Sequence, residues 1–318
     1  MSHKIVTIII GTRPEAIKLA PLIKRFQDSE LINTRVILTG QHSELVNDVV
    51  KLFSINVDLD LKLMKINQSL EEITFGVING LTREFKEYPP NIVIVQGDTS
   101  SAFAAALASF FQKIPVAHVE AGLRTDNLLD PFPEEANRRL VSQIATLHYA
   151  PTKKSKENLL RSGIDTGVEI TGNTVIDSLF IMQNKLTSSF LKGLNLFNSK
   201  FLLCTFHRRE NWGEKLESII KAISKVLKNF PNIKVLIPMH PNKKVRDVIE
   251  KYLALNPNAV LVEPLRYDQF VESIKECFFI ITDSGGLQEE APSLGKPVLV
   301  VRDTTERIEA IEAGTAKL

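Results

Sequence analysis

Hydrophobic and polar positions change period repeatedly along the chain. Short β-branched runs at 5–10, 36–38, 92–95 and 116–119 are each followed by a turn and a longer stretch with helical spacing. Strand-length runs alternating with helical patterns predict βα units and a parallel sheet. The pattern restarts at 201–205, 234–237, 260–262, 278–282 and 298–301, which predicts a second sheet of the same kind. Between the two sets, 168–171 reads as a last strand of the first unit and "GNTVIDSL" as the start of a helix, so the boundary is expected near Gly172. The stretch 188–199 is polar and interrupted by Gly193, and reads as a loop. The fold class is therefore α/β, with a Rossmann-like doubly wound domain at 1–172 and another at 173–318.

Length agrees with that division, because 318 residues exceed what one hydrophobic core usually organises. Lys and Arg number 39 against 37 Asp and Glu, a net charge of +2 that is too small to hold a polyanion, so no nucleic-acid partner is expected. The Lys153, Lys154 and Lys156 run falls in a helix opened by Thr152 and closed near Gly163, and reads as a solvated face. Cys204 and Cys277 stand far apart inside apolar runs, without the pairing of a disulfide framework or a zinc site, which suits a reducing cytoplasmic location. No run approaches the ~18 apolar residues of a membrane span, and the apolar part of "MSHKIVTIIIG" is too short for a signal peptide.

In open parallel sheets, ligands bind beyond the carboxyl ends of the strands, where helix N-termini present unpaired N–H groups. The first strand runs into "GTRPEAIK". Gly11 suits a tight turn, Thr12 with Glu15 fits a capping box, and Pro14 fits the first helical turn. Capping requires neither Arg13 nor Lys18, and two cations beside the positive end of a helix suggest an anion site. The spacing matches neither a P-loop nor a dinucleotide fingerprint. In the second unit "TDSGGLQEEAPSLGKP" places Ser284, Gly285 and Gly286 at a helix start where a phosphate could approach the backbone, with Glu289 and Glu290 in the first turn.

Acidic residues collect after strands of the first unit: Asp98 in "QGDTSS", Glu120 in "VEAG", and Glu134 with Glu135 in "PFPEEANRRL". Each has an ordinary reading, since Asp98 could cap a helix and Glu134 and Glu135 could begin one after Pro133. Together they could supply a base on one face of a sugar carbon and an acid on the other. His207 in "TFHRREN", flanked by Arg208 and Arg209, is placed to neutralise a departing diphosphate. His118 and Glu120 share a strand face, but no third ligand accompanies them, and no metal is expected.

These motifs, together with "HVEAGLRT", "GNTVID" and "RDTTER", occur in an order that resembles the non-hydrolysing UDP-N-acetylglucosamine 2-epimerases over essentially the whole chain. The resemblance implies a glycosyltransferase-B architecture, two domains facing across a cleft, with no metal, nicotinamide or other cofactor. It implies reversible C2 epimerisation of UDP-N-acetylglucosamine, by anti elimination of UDP to 2-acetamidoglucal and syn re-addition. Asp98, Glu120, Glu134 and His207 would be the catalytic set. Arg13, His207, Ser284, Gly285 and Gly286 would meet the diphosphate, Glu290 the ribose, and the loop 265–270 the uracil. Lys18 and Arg138 would line the sugar side, and Arg307 completes the substrate-binding set. A homodimer in the cytoplasm, serving cell-envelope polysaccharide synthesis, is implied as well.

Several positions depart from the family pattern. Gln41, His42, Arg208 and His240 match residues of a second, allosteric UDP-N-acetylglucosamine site, but Glu44 and Asn67 stand where activated members have Gln and Arg. That exchange loses a cation and gains an anion beside the would-be diphosphate, which disfavours activation; hyperbolic kinetics would mark its loss and sigmoidal kinetics its retention. Ile308 replaces a common proline. "GTAKL" ends in what should become the next strand, so the second domain is expected to be incomplete at its C-terminal end, less stable and less active. The alternatives are a glycosyltransferase of the same architecture, the UDP-diacetamido-hexuronate 2-epimerase branch, and a catalytically impaired UDP-sugar binding protein.

Overall fold

The computed structural model describes residues 4–40, 43–63, 68–125, 127–208, 211–303, 305 and 307–318. It divides into two compact units, Met1–Ser178 and Leu179–Leu318.

The first unit contains β1 (Lys4–Ile10), α1 (Arg13–Gln27), β2 (Ile32–Leu38), α2 (Ser43–Phe53), β3 (Leu59–Asp60), α3 (Leu70–Glu87) and β4 (Ile92–Gln96). It continues with α4 (Ser100–Phe111), β5 (Val116–Val119), α5 (Glu134–Ile144), β6 (Leu147–Ala150), α6 (Lys153–Arg161) and β7 (Val168–Ile170), and α7 (Thr174–Gln183) leads into the second unit. The strands form one parallel sheet in the order β3-β2-β1-β4-β5-β6-β7. Strand order reverses between β1 and β4, so their carboxyl ends open on the crevice where such sheets bind ligands. In α4, "SSAFAAALASFF", the small residues Ala102, Ala104, Ala105, Ala106 and Ala108 are all buried in the cluster formed with Val77, Leu81, Val93 and Val95. Small side chains on its buried face let it lie close to its neighbours α3 and α5.

The second unit contains α8 (Ser189–Gly193), β8 (Phe201–Thr205), α9 (Glu214–Asn229), β9 (Lys234–Pro238), α10 (Lys243–Leu253), β10 (Ala259–Val262) and α11 (Tyr267–Glu276). It ends with β11 (Phe279–Thr282), α12 (Leu287–Ser293), β12 (Val298–Val300), α13 (Ile308–Glu312) and β13 (Ala316–Lys317). Its sheet is parallel in the order β10-β9-β8-β11-β12-β13, and the reversal falls between β8 and β11. Helix α9 shows how the pattern folds it: Leu216, Ile220, Ile223 and Leu227 form one buried stripe against Val235, Ile237 and Ile249. No helix among the described residues is long and apolar enough to cross a membrane.

Some local expectations change. The stretch 188–199 is not all loop, since α8 forms within it, anchored by buried Leu191, whose amide donates to Glu272 Oε1 at 2.8 Å. The expected loop 265–270 is mostly helix, because α11 starts at Tyr267 and only Leu265 and Arg266 precede it. The unit boundary falls within α7, later than Gly172. Ser178 Oγ donates to the Ile17 carbonyl of α1 and ties the start of that helix to the first unit.

Candidate functional site

In the first unit, the turns after β1, β4 and β5 lie side by side at the sheet's reversal. The turn after β1 requires glycine, because a Cβ on Gly11 would stand 2.5 Å from Ser101 Cβ in the first turn of α4. Glu15 reaches back to accept the Thr12 amide at 3.0 Å, as the Thr-x-x-Glu spacing predicts, and its Oε2 also accepts the Gly11 amide. Oε1 accepts the Thr99 hydroxyl from the turn after β4. Burial pushes the Glu15 carboxyl up; the bonds from Thr99, Gly11 and Thr12 oppose the shift, and nearby Asp98 adds to it.

The expected anion site on this turn takes a different form. Glu15 already occupies the Gly11 and Thr12 amides, and Lys18 Nζ pairs with both oxygens of Glu120, at 2.7 and 2.6 Å. Arg13 is half-buried at the first position of α1.

Glu120 follows β5 with a left-handed backbone, φ 64°, which a side chain other than glycine seldom adopts. Besides Lys18, its carboxylate accepts Gln96 Nε2 from β4 and, at 2.9 Å, Asn173 Nδ2 from the segment between β7 and α7. These three donors hold Glu120 as an oriented carboxylate. His118, two residues earlier, is not placed as a metal ligand beside it. Its Nε2 lies 2.7 Å from the Gly97 carbonyl, and burial lowers its pKa to about 4. The neutral ring therefore donates from Nε2. Among the described residues, no group of three or more His, Cys, Asp or Glu could hold a metal ion.

Asp98 is not the cap of α4. Thr99 is, accepting the Ala102 amide at 3.0 Å. The Asp98 carboxylate instead accepts Arg138 Nε at 3.0 Å and a terminal guanidinium nitrogen at 2.6 Å, both on Oδ2, and Asn137 Nδ2 donates to its carbonyl at 2.9 Å. The neighbouring acids of α5 divide sharply. Glu135 is fully buried and binds Arg138 at 3.0 Å, Arg139 at 2.6 Å and the Thr125 amide at 3.0 Å. Glu134 is half-buried, and its side chain makes no hydrogen bond or ion pair among the described residues. Thus Lys18 meets Glu120 and Arg138 meets Asp98, while Glu134 stands in the first turn of the helix that carries Arg138. The sequence singled out Glu135 but not its supporting role, and Gln96 and Asn173 were not anticipated, although both lie inside the quoted motifs.

The second unit builds its turn in a parallel way. After β8, the His207 and Arg208 amides donate to Asp283 Oδ1 and Oδ2 at 2.9 and 3.1 Å, and Asn211 Nδ2 joins Oδ2 at 3.0 Å. Asp283 is fully buried at the end of β11 and was not anticipated. Thr282 Oγ1 contacts Thr205 Oγ1 at 2.6 Å and accepts the Ser284 amide at 2.9 Å. Ser284, Gly285 and Gly286 then lead into α12, with Gly286 as its N-cap and Glu290 buried on the helix. Arg307 is paired with Glu289 at 2.7 Å. His240 lies 6.1 Å from His207 and 5.7 Å from Trp212 between ring centroids, and burial lowers its pKa. Its Nδ1 accepts the Asn242 amide at 3.0 Å. Arg208 and His240 are therefore in one unit, whereas Gln41, His42, Asn67 and Arg209, and the side chain of Glu44, lie outside the described residues.

Comparison with known proteins places the chain in a family. A family model described as UDP-N-acetylglucosamine 2-epimerase matches residues 24–318. A UDP-N-acetylglucosamine 2-epimerase of Campylobacter jejuni is 46% identical over 99% of this chain and 85% of its own length. The crystal structure of the Neisseria meningitidis UDP-GlcNAc 2-epimerase bound to UDP-GlcNAc superposes with a TM-score of 0.93 at 49% identity, covering 99% of this chain and 87% of that one. The Methanocaldococcus jannaschii UDP-GlcNAc 2-epimerase, in complex with UDP-GlcNAc and UDP, gives a TM-score of 0.86 at 32% identity, over 98% of this chain and 88% of that one.

Proposed function

The chain belongs to the UDP-N-acetylglucosamine 2-epimerase family, and from that premise we propose that it interconverts UDP-N-acetylglucosamine and UDP-N-acetylmannosamine by elimination and re-addition of UDP. A base removes the C2 proton as the C1–O bond to UDP breaks. The electron pair of the C2–H bond becomes the C1=C2 bond of 2-acetamidoglucal, and UDP leaves with the electrons of the C1–O bond. The reverse addition returns UDP to C1 and a proton to the opposite face of C2.

The observation that carries this reading is the unequal state of three carboxylates at one sheet edge. Glu120 is bound by Lys18, Gln96 and Asn173, Asp98 by Arg138, and Glu134 by no group among the described residues. Acid and base roles separate when neighbouring carboxyl groups have different environments. Glu134 and Asp98 are assigned the proton transfers, and Glu120 is assigned the orientation of Lys18 towards the sugar. In the second unit Ser284, Gly285, Gly286 and Glu290 hold UDP, with His207 and Arg307 meeting its charge. Because the Ser284 amide is spent on Thr282, the diphosphate meets the Ser284 hydroxyl and the amides after it. The reading carries a cytoplasmic homodimer with it. In support, Cys204 and Cys277 are unbridged, and the exposed Phe110–Phe111 pair at the end of α4 offers apolar surface for an interface.

Incubation with UDP-N-acetylglucosamine in D₂O tests the proposal. Deuterium should enter C2, and UDP-N-acetylmannosamine should accumulate. Tight UDP binding without C2 exchange would identify a nucleotide-sugar binding protein instead, and exchange confined to a 6-carboxylated substrate would identify the hexuronate branch.

A further inference from the structure

We infer that Glu15 is a positioning residue that clamps the turn after β1 to the turn after β4, and so fixes the segment that carries Asp98 relative to the one that carries Arg13. A helix-capping glutamate needs only the amide of the N-cap residue. Glu15 does more: Oε2 accepts the amides of Gly11 and Thr12, and Oε1 takes the hydroxyl proton of Thr99, 84 positions away along the chain. Thr99 adjoins Asp98, and Arg13 adjoins Thr12, so the carboxylate joins the two peptide segments that present these side chains.

The chemistry of the link fixes its polarity. The Thr99 oxygen already accepts the Ala102 amide at 3.0 Å, and its single proton points to Glu15. All three partners of Glu15 are donors, a demand met by a carboxylate and by no neutral side chain of that shape. The packing is equally tight. Gly11 leaves no room for a Cβ beside Ser101, and Ser101 Oγ lies 3.3 Å from Thr39 Oγ1 at the end of β2. With the turns in such close contact, a change in the length or polarity of residue 15 is transmitted to Asp98. The substitution Glu15→Gln would keep the shape, but would set an N–H donor against the Thr99 hydroxyl and reverse the link.

The inference rests on the epimerase reading for its effect on rate, and its test has a readout that does not. Glu15→Gln, Thr99→Val, Thr99→Ser and the double variant Glu15→Gln/Thr99→Val are compared with the parent chain. Turnover is followed as C2 deuteration, UDP affinity by calorimetry, and amide protection by hydrogen exchange. Glu15→Gln and Thr99→Val should each lower kcat by about 10- to 100-fold, the scale of a misplaced reacting group, with UDP affinity within about threefold. Thr99→Ser, which keeps the hydroxyl, should restore turnover to within about threefold, and the double variant should lose no more than the worse single one, because both remove the same link. Thr99→Val should also deprotect the Gly11 and Thr12 amides, which the loss of a cap on α4 alone would not do.

Multiplicative losses in the double variant, or exchange in Thr99→Val confined to 99–102, would overturn the clamp. If Glu15→Gln does not fold, the two Thr99 variants decide it: equal turnover in both, with Gly11 and Thr12 still protected, overturns it. A parent chain without C2 exchange would remove the epimerase reading, and the protection pattern would then decide the clamp by itself.

Discussion

Burying an ionisable side chain is costly unless donors or acceptors replace the water it loses, and the first unit meets that requirement differently for each of its carboxylates. Glu120 and Glu135 are surrounded by donors, Asp98 leans on one guanidinium, and Glu134 keeps its carboxylate available. Glu134→Gln removes an acid or base and disturbs no described contact. We expect kcat for C2 exchange to fall by about 10²- to 10⁴-fold, with the UDP dissociation constant and melting temperature nearly unchanged. A comparable loss of thermal stability would instead make Glu134 structural. His118 supplies the pH dependence. It faces the Gly97 carbonyl, His148, Arg124 and Glu120, and its pKa of about 4 in the folded chain lies below the unfolded value of 6.5. The unfolded chain therefore binds the extra proton between these values. Stability from this group is complete above about pH 6.5 and is lost as pH falls towards 4, by on the order of 3 kcal/mol in total. Urea unfolding between pH 4 and 7 would check the slope, which His118→Gln should reduce.

At the scale of elements, both units solve the same problem in the same way. A strand that turns abruptly at the carboxyl edge of a parallel sheet leaves two consecutive amides without strand partners. Glu15 takes those after β1, and Asp283 those after β8. The carboxylates differ in origin, one being the third residue of the helix that follows the turn and the other standing at the neighbouring strand end, so only the first leaves a local sequence signal. Asp283→Ala would strip the His207 and Arg208 amides of this acceptor and leave the Asn211 side chain only the Val301 carbonyl. We expect a loss of about 2–4 kcal/mol in unfolding free energy and weaker UDP binding by at least about tenfold, measured by denaturation and calorimetry. Unchanged UDP affinity would detach this turn from nucleotide binding. Packing sets a second limit at Gly122, where φ is 90° and a Cβ would lie 2.2 Å from the Ser155 carbonyl oxygen. Gly122→Ala should lower the melting temperature by several degrees, as about 1–3 kcal/mol of strain would in a chain of this size.

For the molecule as a whole, two parallel sheets with the same reversal of strand order explain why the turns carrying Asp98, Glu120, His207 and Ser284 all follow strands. The proposed homodimer can be checked by sedimentation, in which Phe111→Glu should shift the chain towards monomer while leaving its circular dichroism intact. Most of this architecture could be read in the residues themselves. Strand and helix periods, the Glu15 cap on the Thr12 amide, the Thr152 cap and the glycine turns are set by backbone sterics and by partners a few residues away, so β5, β8, α6 and the start of α7 fall where the pattern puts them. The two-residue β3 and the mixed "LHYA" of β6 escaped, because neither is long or apolar enough to show a period. The order of the motifs likewise pointed to the family. The bonding state of each carboxylate was decided only by tertiary structure: that Lys18 answers Glu120, that Asn173 reaches back to it, that Arg138 holds Asp98, and that buried Asp283 fastens the turn at His207. The reason is physical. A helix or strand repeats along the chain and is recorded locally, whereas a hydrogen bond across a sheet edge joins residues dozens of positions apart and exists only once the strands have taken their order.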